Sequence, residues 1–153
     1  MKIWIYGERR ARDTPSMPQP ARQDQPASNR KLRVIVVDDS PIILRSVAGF
    51  LRRDETIDVV ATAAEGREAL ELIARLQPDL LVLDLQLPGV SGLQICETVT
   101  RRFPDTYVAI MTVHDGELIR AACRQAGARA FVSKQSLWEE LACAVERAGR
   151  ERA

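Results

Sequence analysis

The sequence predicts an α/β fold, a doubly wound five-stranded parallel sheet with helices on both faces. Between Lys31 and Ala148, short apolar runs rich in β-branched residues alternate with stretches of helical periodicity, giving five strand–helix units. Such alternation is typical of parallel sheets, and right-handed crossovers place the helices on the two faces. Hydrophobic residues make up 46% of the 153 residues and charged residues 28%, which suits one packed core.

The strand predictions rest on apolar runs bounded by polar residues or proline. In the first run all four residues are apolar, without alternation, which indicates a strand buried on both faces. The five predicted strands are Val34–Val37, Ile57–Ala61, Leu80–Asp84, Tyr107–Met111 and Ala130–Val132. Because open parallel sheets bind ligands at the carboxyl ends of their strands, we expect a functional site among the residues that end these runs.

The helix predictions rest on apolar spacing and on residues that begin or end helices. Ser40 and Pro41 supply a cap and a first-turn proline for the first helix, which continues at helical spacing to Leu51. Pro78 and Pro104 lie just beyond the second and third helices. The remaining predicted helices are Glu65–Leu76, Gly92–Arg102, Gly116–Gln125 and Leu137–Arg147.

The first 30 residues differ in composition from the rest. They contain four prolines and carry six basic and three acidic side chains, so residues 31–153 carry a net charge of −2 within the total of +1. These residues have too little apolar surface to offset, by burial, the conformational entropy that they would lose on folding. We therefore predict a disordered, Pro/Arg-rich tail over residues 1–30 and one domain over residues 31–153. Met1–Tyr6 is interpreted either as an added edge strand or as an over-extended start, with Met17 as the true start.

Composition also excludes several classes of protein. The near-neutral total charge favours neither nucleic acid nor an anionic membrane as a partner, and no apolar run reaches the ~18 residues of a membrane span. We expect a cytoplasmic protein without membrane insertion. Cys96, Cys123 and Cys143 form no CxxC pair and have apolar neighbours, so we expect three buried structural thiols.

Polar residues follow or end four of the predicted strands. Asp38 and Asp39 follow the first strand, Asp84 ends the third, Thr112 follows the fourth and Lys134 comes just after the fifth. Singly, each has an ordinary structural explanation, such as aspartates at the positive end of a helix dipole. Together they would meet at one edge of the sheet.

This combination of residues predicts phosphoryl chemistry. Three neighbouring carboxylates repel one another and require a counter-ion, and oxygen ligands of high negative charge suit Mg²⁺. A lysine ammonium and a threonine hydroxyl can neutralise the oxygens of a transferring phosphoryl group. Aspartate is a known nucleophile toward phosphorus. We therefore predict that Asp84 accepts a phosphoryl group.

The order and spacing of these motifs resemble the bacterial two-component response-regulator receiver domain. The resemblance covers residues 32 to about 148 and rests on the runs VVDDS, LDLQLPGVSG, MT and FVSK. It implies a flavodoxin-like (βα)5 fold with strand order 2-1-3-4-5. The sequence from Gly92 to Ala148 resembles that of receivers attached to LuxR-type regulators. No helix-turn-helix output sequence follows it here.

The resemblance implies roles for the metal ligands and the acceptor. Asp38 and Asp39 match the acidic pair that holds Mg²⁺, and Asp84 matches the phospho-acceptor, which also contacts the metal. The backbone carbonyl of Gln86 matches the remaining protein ligand. Mg²⁺ is therefore the implied cofactor.

The resemblance also implies a switch. Thr112 and Lys134 match the pair that contacts the phosphoryl oxygens, and Phe131 matches the aromatic switch position. Thr112 is expected to move toward the phosphoryl group while Phe131 turns inward. This would change the face formed by the fourth helix, fifth strand and fifth helix, to which Leu118, Ile119, Trp138 and Leu141 are expected to contribute.

Two positions depart from the usual family pattern. Gln135 stands where the family usually has proline, often after a cis bond, so the geometry of the Lys134–Gln135 bond is open. Val113 stands where the family usually has a small residue, and we expect it to narrow access to Asp84. His114, the only histidine, is interpreted as a surface loop residue.

The implied partners are a histidine kinase or phosphotransfer protein, with a homodimer through the same switch face. We expect no direct nucleic-acid contact and no enzymatic activity beyond the chain's own phosphorylation and dephosphorylation. Two alternatives stay open beside a single-domain regulator. One is a receiver fragment of a longer DNA-binding regulator. The other is a small aspartyl-phosphate phosphatase, although Gln86 stands where such an enzyme usually has a second acid.

Overall fold

Five parallel strands and five α-helices alternate along the chain in the computed structural model, which describes residues 30–114 and 116–152. The strands are β1 (Leu32–Val37), β2 (Ile57–Ala63), β3 (Leu80–Asp84), β4 (Tyr107–Thr112) and β5 (Ala130–Ser133). The helices are α1 (Pro41–Arg52), α2 (Gly66–Leu76), α3 (Gly92–Arg102), α4 (Glu117–Gln125) and α5 (Leu137–Arg152). The strand order is β2-β1-β3-β4-β5, so the predicted fold class and topology are confirmed.

Most element boundaries agree with the sequence predictions to within one or two residues, and the larger difference is at the end of the chain. α5 continues to Arg152 rather than ending near Arg147, because tertiary contacts hold its last turn. There Arg152 donates to the carbonyl of Lys31 at 2.8 Å and lies 3.6 Å from Asp79. The predicted tail over residues 1–30, including Met1–Tyr6, lies outside the described residues except for Arg30.

The sheet separates two apolar layers. Along β1, Val34 and Val36 belong to one layer and Ile35 and Val37 to the other, as the alternation of side chains along a strand requires. The first layer is completed mainly by α1 and α5, and the second by α2, α3 and α4. Both faces of the central strands are therefore covered by apolar side chains. Their polar residues are confined to the strand ends.

Two expectations about α5 are wrong. Cys143 is exposed, whereas Cys96 and Cys123 are buried as predicted. Leu141, which we expected on an interaction surface, is fully buried in the core. The buried face of the helix is formed by Leu137, Leu141, Ala144 and Ala148. Cys143 lies outside this buried face. Its apolar neighbours in the sequence do not show on which side of the helix it lies.

Gly92 positions the turn that follows β3. A Cβ added there would overlap the carbonyl oxygen of Asp84 and lie 2.7 Å from the Cα of Leu85. We expect Gly92→Ala to destabilise the fold by about 1–3 kcal/mol, because backbone atoms cannot yield as a flexible side chain can. Urea denaturation measures the effect. In the control, Gly49→Ala on the exposed side of α1, the new methyl meets nothing within 4 Å. That variant is expected to gain about 0.5–1 kcal/mol, and equal stability of the two variants would contradict the prediction.

Candidate functional site

The polar residues at the strand ends meet at the carboxyl edge of the sheet, as the sequence predicted. β1 and β3 are neighbours, with Val37 paired to Leu83, so Asp38 and Asp84 occupy adjacent positions one residue further on. One carboxylate oxygen each from Asp38, Asp39 and Asp84 lies within 4.8 Å of the other two. We call these three residues the acidic cluster.

Asp38 is the most deeply buried member of the acidic cluster. Its Oδ1 accepts a hydrogen bond from the backbone N–H of Ser40 at 2.8 Å. Its Oδ2 is buried and lies 2.8 Å from Lys134 Nζ as an ion pair, but no hydrogen bond of normal geometry reaches it within the described residues. A buried carboxylate oxygen with an unfilled lone pair is costly in a protein interior unless a further cation approaches it.

Asp84 ends β3 and is only 4% exposed. Its Oδ1 accepts from the backbone N–H of Gln86 at 3.2 Å, and its Oδ2 lies 3.4 Å from Lys134 Nζ. Burial raises the pKa of this carboxyl above its usual value, and the neighbouring Asp38 raises it further, while Lys134 and the Gln86 N–H partly oppose the shift. The site thus holds a carboxylate that gains from additional positive charge.

Lys134 follows β5 and reaches back over the acidic cluster from the short 3₁₀ turn Lys134–Ser136, which the sequence did not predict. Burial lowers the pKa of its ammonium, but the carboxylates of Asp38 and Asp84 outweigh burial and leave the pKa above 10.5. The stabilisation from these ion pairs is therefore present at neutral pH and is lost only as the pH rises through that elevated pKa. All peptide bonds of the described residues are trans, so the Lys134–Gln135 bond is not cis.

Thr112 lies at the end of β4, beside Asp84. Met111, the preceding residue, is paired with Asp84 across the sheet. The Thr112 side chain is buried, and its Oγ1 accepts from the backbone N–H of His114 at 3.0 Å. Val113 and His114 are exposed, which confirms the surface interpretation of the histidine. Thr112 therefore ends β4 one residue beyond the position paired with Asp84, where the chain turns toward the surface.

Phe131 lies on β5 away from the acidic cluster. Its ring is partly buried, and the guanidinium carbon of Arg120 on α4 lies 4.5 Å from the ring centroid, within the range of a cation–π contact. Sequence reasoning did not identify Arg120, because the pair depends on the distance between α4 and β5. Of the other apolar residues expected on this side, Leu118 is 88% exposed.

Trp138 is 44% exposed and contacts Phe50 of α1. Its ring centroid lies 5.0 Å from that of Phe50. Its tryptophan fluorescence would therefore report first on the α1–α5 side of the domain.

The acidic cluster fits a hard divalent cation. It supplies several carboxylate oxygens, among them the buried Asp38 Oδ2 that pairs with Lys134, and oxygen ligands with two or three carboxylates suit Mg²⁺. Gln86 lies on the turn after Asp84, with its N–H already bound to that side chain. The three aspartates expected to hold Mg²⁺ therefore lie together, and the role of the Gln86 carbonyl stays a prediction.

Comparison with known proteins decides the family. The response regulator receiver domain model matches residues 34–146. The chain belongs to this family. Among characterised relatives, the receiver is 35% identical over 115 residues to the oxygen regulatory protein NreC of Staphylococcus epidermidis, covering 74% of this chain and 53% of that protein. It is 29% identical over 117 residues to the DNA-binding transcriptional activator EvgA of Escherichia coli, covering 76% and 57%.

Solved structures agree with the assignment. The receiver resembles the signal receiver domain of the putative response regulator NarL from Mycobacterium tuberculosis, with 34% identity, a TM-score of 0.75, and coverage of 79% of this chain and 98% of that one. It also resembles a LuxR-family two-component response regulator from Aurantimonas, with 32% identity, a TM-score of 0.74, and coverage of 78% and 86%. The receiver spans about half the length of the curated relatives it matches. Within the described residues, no helix is long and apolar enough to cross a membrane.

The raised pKa of Asp84 predicts that its charge destabilises the receiver. Since the pKa in the folded state is above the usual 3.8, the folded state binds the proton more tightly than the unfolded state. The ionised carboxylate therefore lowers stability at neutral pH, and the loss disappears as the pH falls through the folded pKa toward 3.8. We expect Asp84→Asn to raise the free energy of unfolding by about 0.5–2 kcal/mol at neutral pH in metal-free buffer. Denaturation at several pH values measures this gain, and a gain that grew on acidification would contradict the assignment.

Proposed function

We propose that the receiver accepts a phosphoryl group on Asp84 from the phosphohistidine of a histidine kinase or phosphotransfer protein, with Mg²⁺ as cofactor. The observation that carries this proposal is the placement of Asp84. It is the carboxylate of the acidic cluster that ends a central strand, and Lys134 Nζ lies 3.4 Å from its Oδ2. Asp38 shares the neighbouring carboxylates and lies nearer to the same ammonium, at 2.8 Å, so what distinguishes Asp84 is its position as the last residue of β3 and its match to the acceptor motif.

The residues divide the chemistry among themselves. An Asp84 oxygen attacks phosphorus, the new O–P bond replaces the P–N bond of the donor, and the imidazole leaves with a proton. Lys134 and the Thr112 hydroxyl stabilise charge on the phosphoryl oxygens. Asp38, Asp39, Asp84 and the Gln86 carbonyl would hold Mg²⁺, which neutralises further oxygen charge when bound.

The consequence is a conformational switch and not turnover of an external substrate. A phosphoryl group adds about two negative charges and three acceptor oxygens to Asp84. Thr112 moves toward these oxygens, and Phe131 turns inward into the space that is released. The receiver thereby catalyses only its own phosphorylation and dephosphorylation and passes the signal through the face of α4, β5 and α5.

A second candidate concerns what the switch controls. The relative EvgA is described as a DNA-binding transcriptional activator, and the receiver aligns with only 57% of its length. This coverage favours a receiver that regulates a DNA-binding region of a longer protein. Phosphorylation of the acidic cluster is common to both candidates, so the first experiment does not depend on the choice.

The experiment is incubation of the full chain with acetyl phosphate, with and without Mg²⁺, followed by intact mass measurement. We expect the mass of one added phosphoryl group with Mg²⁺ and none after chelation with EDTA. The absence of any added mass under both conditions would overturn the proposed function.

A further inference from the structure

The turn that carries Lys134 is held by a carboxylate from α5. The chain passes from β5 to α5 through a short 3₁₀ turn, Lys134–Ser136. Ser133, the last residue of β5, is 3% exposed, and its backbone N–H donates to Glu140 Oε2 at 2.6 Å. A buried N–H needs an acceptor, and a carboxylate is a strong one. The end of β5 is therefore tied to the first turn of α5.

Glu140 reaches this position because of where it lies on α5. Leu137 and Leu141 are buried and anchor the first turn of the helix on the sheet. Residues three or four apart share one face of a helix, so Glu140, three residues after Leu137, lies beside the buried face and is partly buried itself. Its neighbour Glu139 is exposed. The helix thus offers two glutamates of equal charge, of which one is tied to β5.

A second hydrogen bond fixes the backbone on the other side of Lys134. Ser133 Oγ accepts from the backbone N–H of Gln135 at 3.3 Å, which caps the 3₁₀ turn. This bond is available because residue 135 is glutamine, since a proline would have no N–H to donate. Ser133 therefore holds the chain before Lys134 through its N–H and the chain after it through its hydroxyl.

The position of this backbone sets the position of the Lys134 ammonium. Ser133 is paired with Thr112 across β4 and β5, so the residue that follows it begins at the same edge of the sheet as the acidic cluster. Lys134 Nζ lies 2.8 Å from Asp38 Oδ2 and 3.4 Å from Asp84 Oδ2. Charge-assisted hydrogen bonds of this kind extend over only about 2.7–2.9 Å. A small displacement of the turn would therefore take the ammonium away from both carboxylates.

We propose that Glu140 is a positioning residue for the phosphoryl transfer at Asp84. Glu140 lies outside the acidic cluster and acts by holding the Ser133 N–H, which keeps the Lys134 ammonium over the carboxylates. Displacing a charge-stabilising group by about 1 Å can lower a rate by about 10²-fold. The kinetic effect rests on the proposed function, whereas the placement of Lys134 does not.

The first experiment measures the accessibility of the Lys134 ammonium and involves no phosphorylation. The lysines of the chain are Lys2, Lys31 and Lys134, so trace acetylation of the full chain with acetic anhydride, followed by peptide mass spectrometry, resolves each of them. Lys31 is exposed and serves as the internal reference, whereas the Lys134 side chain is 15% exposed. We expect Glu140→Ala to raise the ratio of Lys134 to Lys31 acetylation by about three- to tenfold, because acylation requires the ammonium to leave its ion pairs.

Three further variants separate the hydrogen bond from the charge. Glu140→Gln keeps a side-chain oxygen that can accept from the Ser133 N–H, so its ratio should stay within about twofold of the wild type. Glu139→Ala removes the same charge from the exposed neighbour and should leave the ratio unchanged. Glu140→Asp keeps the charge but is one methylene shorter, so it should act like Glu140→Ala and replaces it if the alanine variant does not fold. An unchanged ratio in Glu140→Ala or Glu140→Asp, or an equal rise in Glu140→Gln, would overturn the positioning role.

The second experiment measures the rate of phosphorylation by acetyl phosphate with Mg²⁺ in a double-mutant cycle. We expect Glu140→Ala to lower the rate by about tenfold when Lys134 is present. In the Lys134→Met background the same substitution should leave the rate unchanged, because a residue that acts through Lys134 then has nothing to position. An equal loss in both backgrounds would mean that Glu140 acts by another route and would contradict the proposal.

The two experiments distinguish failure of this inference from failure of the proposed function. If the wild-type chain takes no phosphoryl group, the proposed function fails, and the acetylation ratios still decide whether Glu140 positions Lys134. If the chain is phosphorylated and Glu140→Ala raises the acetylation ratio without lowering the rate, Glu140 places the lysine but has no part in the transfer, and the proposal is wrong.

Discussion

We expect Asp84→Asn to leave the receiver unable to take a phosphoryl group from acetyl phosphate. Asparagine has nearly the same shape as aspartate, so the turn after β3 keeps its form, but the amide lacks the anionic oxygen that attacks phosphorus. Deleting a nucleophile usually costs about 10⁴-fold or more in rate, which places the variant below detection by intact mass. The same variant is expected to be more stable than the wild type, so loss of phosphorylation cannot be attributed to unfolding.

The matched control for this variant is Asp58→Asn. Asp58 is an exposed aspartate on β2, outside the acidic cluster. It loses the same charge without losing the ion pair with Lys134, and we expect its phosphorylation to be unchanged. A phosphoryl group found on Asp84→Asn at the wild-type rate would place the acceptor on another residue.

The sequence was sufficient for the fold because each strand carries its own signal. The residues of β3 and β4 are buried throughout, and apolar runs of this kind need no knowledge of the partner strand to be recognised. The sequence also predicted the edge at which Asp38, Asp84 and Lys134 meet, because parallel strands bring their carboxyl ends together.

Features that depend on distances between elements did not follow from the sequence. Lys134 was expected to contact a phosphoryl group, and nothing in the sequence showed that Asp38 Oδ2 lies nearer to its ammonium than Asp84 does. The contact of Arg120 with Phe131 and the exposure of Cys143 likewise depend on how α4 and α5 lie on β5. Local patterns predict which face of an element is apolar, but the rotation of a helix on its sheet decides individual neighbours.

Lys134→Met is expected to lower both the stability and the reactivity of the receiver. Methionine has a similar length, but it leaves the buried carboxylates of Asp38 and Asp84 without their ammonium partner. Removing one member of a buried ion pair usually costs about 3–5 kcal/mol. Loss of a group that stabilises transition-state charge lowers the rate by about 10²–10³-fold. Urea denaturation and the rate of phosphorylation by acetyl phosphate measure the two effects.

Mg²⁺ distinguishes electrostatic repulsion from simple loss of packing in this variant. A dication bound to the acidic cluster replaces part of the missing positive charge, so Mg²⁺ should raise the melting temperature of Lys134→Met more than that of the wild type. Lys31→Met, an exposed lysine at the opposite edge of the sheet, should show neither effect. Adding Asp38→Asn to Lys134→Met removes one of the two uncompensated charges and should restore part of the stability but not the rate. If the double variant were as unstable as Lys134→Met, packing of the lysine side chain would be what holds this edge together.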